Sequence, residues 1–201
     1  MHVVPFVGIA FPLGDTTGAQ NDSLSARYGW QWVPLQLGFG AKITQSLYLG
    51  AYLDTSLGYE GSDRATRQHC EAGDGIEDDV SCSSSSAHIG VEARYTLNPD
   101  ETFAGWIGYG IGYTAASQSI SDAGRYEESS TVRGIEFARL SLGLDIRLSH
   151  GFGMGPYVGV SLGRYLNQET VINDYESSSD HIDDGAFHAW LTLAYRLVIF
   201  P

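Results

Sequence analysis

The chain has 201 residues, 25 of them glycine, an aromatic content of 12% and a formal net charge of −13. Phosphate binding needs a basic surface, so this charge argues against a nucleic-acid partner. No segment approaches the roughly 18 uninterrupted apolar residues of a membrane-spanning helix. The only lysine is Lys42, whereas a soluble β-sheet usually carries several on its faces and edges. These features favour one β-rich domain that is not surrounded by water on all sides.

Polar segments and short turns alternate along the chain. The polar segments, which we predict to be long loops, cover residues 14–28, 61–86, 117–134 and 167–185. The short turns lie near residues 44–46, 98–101 and 149–153. Eight segments remain between these breaks, and alternating long and short connections place all long loops at one end of a meander. Most of the 24 carboxylates fall in the long loops.

Period-2 alternation of apolar side chains predicts strands in the eight segments. The alternation is regular in residues 47–59, 87–97, 138–148 and 187–199, and weaker in residues 2–13, 29–43, 102–116 and 154–166. Pro5 and Pro12 predict a bulge in the first strand, because proline removes a hydrogen bond from the ladder.

One face of each predicted strand is aliphatic, and the other combines glycine, serine and charges of both signs. Small residues opposite large ones suit a narrow lumen, and the interior of an eight-stranded barrel is filled by side chains. We therefore predict that the polar face lines the lumen and the aliphatic face contacts lipid. Two levels of aromatic residues on the aliphatic face are typical of interfacial girdles. The level near the long loops contains Phe11, Tyr59, Tyr113 and Phe187, and the level near the short turns contains Phe39, Tyr95, Phe103 and Tyr195.

These patterns resemble the small eight-stranded outer-membrane β-barrels of the OmpA/OmpX type over the whole length of the chain. Residues 193–197, with the sequence Leu-Ala-Tyr-Arg-Leu, are similar to the closing strand of such barrels. The resemblance implies an all-β fold, an eight-stranded antiparallel up-and-down transmembrane β-barrel, with residues 1–201 as a single domain in the bacterial outer membrane. We expect a monomer without a cofactor that contacts the lipid bilayer and lipopolysaccharide. Its expected role is structural or interaction-based, with acidic extracellular loops that bind an extracellular protein or another surface ligand.

Charged residues recur on the polar face of the predicted strands. They are Lys42, Asp54, Glu92, Arg94, Arg139, Asp145, Arg147 and Arg196. Charges in a narrow lumen persist only when they are paired or hydrated. We therefore predict a structural network of ion pairs that fills the barrel. The alternative is a gate whose pairs exchange and let ions or small solutes through a narrow channel.

The loop at residues 61–86 contains both cysteines, Cys70 and Cys82. A disulfide between them suits an oxidising compartment and would stabilise the fold by about 3 kcal/mol in the chain-entropy model; two free thiols are the alternative. The same loop offers a weak calcium candidate in Asp74, Glu77, Asp78 and Asp79. The spacing lacks the order of a calcium-binding loop, so we predict a solvated loop and no metal site.

Two further features concern lipid and catalysis. Arg164 has outward parity near the long loops, where it would contact lipid headgroup phosphate. His88 and His188 share the polar face near Ser86 and Asp184, and a Ser-His-carboxylate set would suit a barrel enzyme that modifies lipid A or phospholipid. No serine shares the strand face of His188, so we assign no catalytic residue. A soluble lipocalin-like binding barrel is the remaining alternative.

Overall fold

The computed structural model describes residues 2–16, 23–58, 80–122, 126–149, 151–172 and 176–199. The strands are β1 (His2–Gly14), β2 (Gln31–Lys42), β3 (Leu47–Gly58), β4 (Val80–Thr96), β5 (Phe103–Asp122), β6 (Tyr126–Arg147), β7 (Phe152–Ile172) and β8 (Glu176–Ile199), and one helix, α1 (Leu24–Tyr28), precedes β2. Each strand pairs antiparallel with its neighbours in sequence, and β1 pairs with β8, so the sheet closes. The predicted eight-stranded up-and-down barrel is confirmed.

The aliphatic face of the sheet points out of the barrel and the polar face points in. Leu142 is 53% exposed, whereas its chain neighbour Ser141 is 6% exposed. On β3, Leu53 is 41% exposed and Tyr52 is 1% exposed. Because successive strand residues point to opposite sides, the eight strands together present an apolar belt outside and a polar lumen inside, as we predicted.

Tight turns join the strands at one end of the barrel, which we call the short-turn end. The turn between β2 and β3 is held by Thr44, whose hydroxyl accepts a hydrogen bond from the backbone N–H of Leu47 at 2.9 Å. The turn between β4 and β5 contains Asn98 with a positive φ of 49°, a conformation that asparagine tolerates better than most residues. The predicted short turns therefore lie where the sequence indicates.

At the opposite end, the strands continue into segments that we predicted to be loops. This outer extension consists of residues 80–86, 115–122, 126–133, 166–172 and 176–186. The predicted loops at 61–86, 117–134 and 167–185 are wrong in these parts. Alternation of apolar and polar residues indicates a strand with one buried face. Most side chains of the extension are polar on both faces. The strands therefore continue there without the alternation that predicts them. The hydroxyls of Ser117 and Thr131 pair across it at 2.9 Å.

The helix α1 lies inside the segment 14–28, which we predicted to be a loop. Leu24 and Tyr28 are both 0% exposed, because residues four apart lie on the same helix face and this face turns into the barrel. Among the described residues, no helix has the length and apolar character needed to cross a membrane.

Bulges shift the register in several of the strand pairs. The register between β1 and β2 shifts where Phe6 pairs with Gln36 and Gly8 pairs with Val33, so the extra residue lies on β2. The bulge that we predicted in β1 is wrong, because Pro5 and Pro12 both pair in regular register. On β6 the register with β7 shifts between Glu136 and Ala138, and β5 shifts opposite it between Gly110 and Gly112. The bulge on β6 reverses the side-chain parity, so that Glu136 and Arg139 both face the lumen.

Candidate functional site

Glu136 lies at the middle of the lumen and is 1% exposed. Tyr52 donates a hydrogen bond to its Oε1 at 2.6 Å, and Ser161 donates one to its Oε2 at 2.5 Å. The Nδ1 of His88 lies 2.8 Å from the same Oε2. These partners come from β3, β7 and β4, so the carboxylate links three walls of the barrel.

Arg139 completes this central cluster. Its Nη2 lies 2.5 Å from Asp54 Oδ2, and its Nη1 lies 3.8 Å from Glu136 Oε1. The guanidinium also lies over the ring of Tyr52, 4.4 Å from the centroid. Buried charges are tolerated when they are paired and hydrogen-bonded, and the pairing of Asp54 on β3 with Arg139 on β6 crosses the lumen between strands that are not neighbours.

A second, inner cluster lies nearer the short-turn end. Arg196 donates to Asp145 Oδ2 at 2.8 Å, and the indole N–H of Trp106 donates to Oδ1 of the same carboxylate at 3.2 Å. Arg94 pairs with Glu92. Both guanidiniums lie over Trp106, with Arg94 at 5.3 Å and Arg196 at 4.3 Å from a ring centroid. Flat cations stacked on aromatic faces fill the lumen here.

Six of the eight charged residues predicted for the lumen are buried inside it. They are Asp54, Glu92, Arg94, Arg139, Asp145 and Arg196. Lys42 is exposed and Arg147 is half-buried, and both lie at the short-turn end, where Arg147 donates to the carbonyl of Pro99 at 2.9 Å. The six buried residues therefore form two clusters of ion pairs, whereas Lys42 and Arg147 lie at the mouth of the lumen.

Sequence reasoning missed Glu136, the most connected carboxylate of the lumen. Glu136 lies between the predicted loop at 117–134 and the predicted strand at 138–148, and the bulge at Phe137–Ala138 puts it out of phase with that strand. A signal was present, because Ile135 and Phe137 are apolar and flank Glu136 in the opposite phase from Leu140 and Leu142. A change of phase within one apolar segment indicates a bulge.

The helix α1 packs against inner-face residues at the outer end of the lumen. Leu24 and Tyr28 pack in a buried apolar cluster, the outer plug, whose other members are Ala10, Ala116, Val132, Tyr165, Ile182, Ala186 and Trp190. The Tyr28 hydroxyl donates to the carbonyl of Ala116 at 3.3 Å, and Ser84 donates to the carbonyl of Tyr28 at 3.3 Å. The plug joins α1 to the inner face of the outer extension.

The structure does not assemble the Ser-His-carboxylate set that we considered. Ser86 pairs with Ser56 at 2.5 Å, and His88 pairs with Glu136. The side chain of Asp184 lies outside the described residues. In the central cluster, Ser161 bonds to the carboxylate rather than to the imidazole, so a serine activated by a histidine base is not built there.

The aromatic residues of the apolar face lie at two levels. Tyr113 and Phe187 are 43% and 48% exposed, and Phe137, which we did not predict, joins them with its ring 6.2 Å from that of Phe187. At the short-turn end the exposed members are Phe39, Tyr95, Phe103 and Tyr195. Phe11 is half-buried, and Tyr59 lies outside the described residues. Arg164 is exposed and faces Phe187 in register, so it lies at the outer aromatic level, and its contact with headgroup phosphate stays a prediction.

Tyr109 lies between these two levels, on the lipid-facing side, with 51% exposure. Its hydroxyl donates to the carbonyl of Phe137 at 3.0 Å. This carbonyl belongs to the bulge, where the register between β5 and β6 shifts. Backbone groups in hydrocarbon must be satisfied within the protein, and the tyrosine supplies the donor that the ladder does not.

Two predictions fall mainly on residues that the structure does not describe. The calcium candidate Asp74, Glu77, Asp78 and Asp79 lies wholly outside the described residues, within which no cluster of metal-ligating side chains occurs. Cys82 lies near the beginning of β4 and is not a free thiol. Its predicted partner Cys70 lies outside the described residues, so the disulfide stays a prediction.

No protein family matches the sequence, and no curated protein matches it either. The solved structures that match this chain over nearly its whole length include the following two. A major outer membrane protein from Thermus thermophilus aligns with a TM-score of 0.61 at 13% identity, over 98% of this chain and 99% of that chain. Neisserial surface protein A aligns with a TM-score of 0.53 at 13% identity, over 99% of this chain and 96% of that chain.

Proposed function

We propose that this chain, which has the fold of the bacterial outer-membrane β-barrels, lies in the bacterial outer membrane and serves a structural and interaction role through its outer extension. Ion pairs and hydrogen bonds between side chains connect different walls of the lumen, and the outward face contacts lipid. Lipopolysaccharide is the immediate partner that we infer, together with an extracellular protein or another surface ligand.

The apolar belt supports the placement in a membrane. Large apolar side chains on every strand are exposed, with Leu140, Leu142 and Leu193 between 44% and 53% exposed. Monomeric soluble proteins rarely leave a contiguous apolar surface of this kind open to water. The flanking aromatic levels match the two interfaces of a bilayer.

The observation that carries the interaction role is the outer extension itself. It continues β4–β8 past the outer aromatic level of Tyr113 and Phe187. In the described part of the chain, residues 176–181 of β8 pair with β7 and not with β1. An unpaired strand edge offers N–H and C=O groups that can add a strand from another chain.

The outward face of the extension is rich in hydroxyl groups. These residues include Ser83, Ser85, Ser117, Ser119, Ser129 and Thr131. Arg133 and Glu169 form an exposed ion pair beside them at 3.1 Å. In an outer membrane this face is level with the sugars and phosphates above lipid A, which are hydrogen-bonding partners of the same kind.

A shortened variant tests this role. Gln118 and Ser130 face each other in register, so residues 119–129 can be replaced by an Asn-Gly turn, which suits a two-residue hairpin. Purified protein in detergent is titrated with complete lipopolysaccharide or with lipid A, and the rise in Tm is measured. We expect the Tm of the wild type to rise more with complete lipopolysaccharide than with lipid A, because the sugars of lipopolysaccharide reach the extension.

The variant keeps Ala116 and Val132, so the outer plug stays in place. We expect it to respond equally to both lipids, because the belt still binds the acyl chains. An equal response of the wild type to the two lipids would contradict the interaction role of the extension.

A narrow channel is the competing function. The ion pairs of the two lumen clusters argue against it, because they would have to separate for ions to pass. Conduction would require Arg139 to leave Asp54 and Glu136, or Arg196 to leave Asp145. We expect no single-channel conductance from wild-type protein in a planar bilayer. Steady conductance that Asp54→Asn increases would favour the gate instead.

The disulfide between Cys70 and Cys82 belongs to the same proposal, because an extracellular loop is exposed to an oxidising compartment. Mass spectrometry of protein alkylated without reduction tests it directly. We expect no alkylation of either cysteine, and modification of both would contradict the pairing.

A further inference from the structure

The lumen opens at its short-turn end into a cavity that is lined by more positive than negative side chains. Its walls include Lys42, Arg94, Arg147 and Arg196, against Glu101 and Asp145. The whole chain has only 11 Lys and Arg residues at a net charge of −13. More than a third of its cationic side chains therefore line this one cavity, at the end of the barrel opposite the acidic segments.

Several buried donors of the cavity have no partner among the described residues. They are Nε and Nη1 of Arg196, Nε of Arg94 and the hydroxyl of Tyr48. Asp145 and Glu92 each satisfy one edge of a guanidinium. A buried donor without a partner is costly, and more so when it is charged. The arrangement therefore has hydrogen-bonding capacity that its own carboxylates do not use.

The two guanidiniums also share one aromatic neighbour, Trp106. Arg94 lies 5.1 Å from the ring centroid of Tyr48, and both arginines lie over Trp106. Like charges repel each other more strongly in a medium of low dielectric constant than in water. An anion between them removes that repulsion and accepts their unused N–H groups.

We propose that this cavity binds an oxyanion of the phosphate type from the periplasmic side. Guanidinium groups present a planar fork of donors that matches phosphate oxygens. The unpartnered donors belong to Tyr48 on β3, Arg94 on β4 and Arg196 on β8, and all three residues line the cavity.

The rim supplies the long-range attraction. Lys42 is exposed and Arg147 is half-buried at the mouth, so their charges face an arriving anion before it meets the buried arginines. An excess of positive charge at the mouth of a cleft attracts anions and raises their local concentration. This site does not depend on the surface role proposed above, because it lies at the other end of the barrel.

Isothermal titration with inorganic phosphate tests the proposal on the full chain, in zwitterionic detergent at low ionic strength. We expect saturable binding to the wild type and weaker binding of acetate. The rim variant Lys42→Gln with Arg147→Gln raises the Kd for phosphate about tenfold, which corresponds to the loss of one charge-assisted interaction. Arg196→Lys keeps the charge but loses the fork, and it raises the Kd by a similar factor.

Arg133→Gln is the matched control, because it removes one positive charge from the outer extension, at the opposite end of the barrel. We expect it to leave the Kd for phosphate unchanged. The proposal is overturned if the wild type shows no saturable binding in the millimolar range. It is equally overturned if the rim variant binds as tightly as the wild type, or if the control weakens binding as much as the rim variant.

The phosphate group can belong to a free anion or to a lipid headgroup of the inner leaflet. Titrations in nanodiscs of phosphatidylcholine, with and without phosphatidylglycerol, distinguish the two sources. An anionic headgroup that occupies the site raises the apparent Kd for phosphate in the wild type and has no effect in the rim variant. An unchanged Kd in the wild type assigns the site to a free anion.

Discussion

Tyr109 shows how one side chain can satisfy a backbone group in hydrocarbon. The bulge on β6 lets Glu136 reach the lumen, and it leaves the carbonyl of Phe137 out of the regular ladder on the lipid side. The Tyr109 hydroxyl donates to that carbonyl. From the sequence alone, a tyrosine in the middle of the apolar belt is unexpected. The structure explains it, because the Tyr109 hydroxyl bonds to the bulge that brings Glu136 into the central cluster.

Replacing Tyr109 with phenylalanine therefore destabilises the barrel. We expect a loss of about 1–3 kcal/mol in the free energy of unfolding, because a buried acceptor loses its donor. Urea unfolding from phosphatidylcholine vesicles, followed by tryptophan fluorescence, measures it. Tyr195→Phe is the matched control at the inner aromatic level, and we expect a change below about 0.5 kcal/mol there. Equal stability of the two variants would contradict this role for Tyr109.

The same measurement tests the central cluster. Glu136→Gln removes a buried charge that faces Arg139, His88, Tyr52 and Ser161, and we expect it to cost about 2–4 kcal/mol. Glu169→Gln removes a carboxylate from the exposed pair with Arg133, where we expect less than about 1 kcal/mol. If both variants lose the same small amount, the lumen network does not hold the barrel together.

At the scale of elements, the attachment of α1 depends on Leu24 and Tyr28, the two side chains by which it joins the outer plug. Leu24→Asp places a carboxylate in the outer plug, and we expect α1 to detach while the barrel stays closed. Trypsin cleavage after Arg27, followed by mass spectrometry, should then be much faster than in the wild type. Ser25→Asp is the control, because Ser25 is exposed on the same helix. Equal cleavage of the two variants would show that α1 does not depend on the plug.

The strands could be predicted from the sequence only where lipid contacts one face. The alternation of β3, with Leu49, Leu53 and Leu57 facing outward, follows directly from that environment. The upper part of β5 and β6 has polar residues on both faces, so the ladder between Ser117 and Thr131 leaves no periodic signal. The helix α1 escapes prediction for a related reason, because two apolar residues in a polar segment are too few to define a periodicity.

The lumen could be predicted only up to the first irregularity of a strand. Arg139 and Asp145 were assigned correctly because the parity of β6 holds from Ala138 onward. Arg196 was assigned correctly because β8 pairs without a shift around it. Glu136 was missed because a bulge of one residue exchanges the two faces. Pairing partners such as Asp54 and Arg139 could not be predicted either, because they depend on the register of strands that are far apart in sequence.

At the scale of the whole molecule, the barrel separates three environments. The acidic segments lie at the outer end, the apolar belt surrounds the middle, and the cationic cavity opens at the short-turn end. Glycine and serine on the inner face make room for Tyr52, Trp106 and Trp190, which are all at most 3% exposed. This distribution requires that hydrocarbon contacts the aliphatic face and that the polar face is enclosed.

Labelling from within the bilayer tests this requirement on the native chain. The protein is reconstituted with a phospholipid that carries a diazirine in its acyl chain, irradiated, and mapped by mass spectrometry at single-residue resolution. We predict labels on Leu142 and Leu193 and none on Tyr52 or Trp190. Labels on Tyr52 and Trp190 with Leu142 and Leu193 protected would contradict the account.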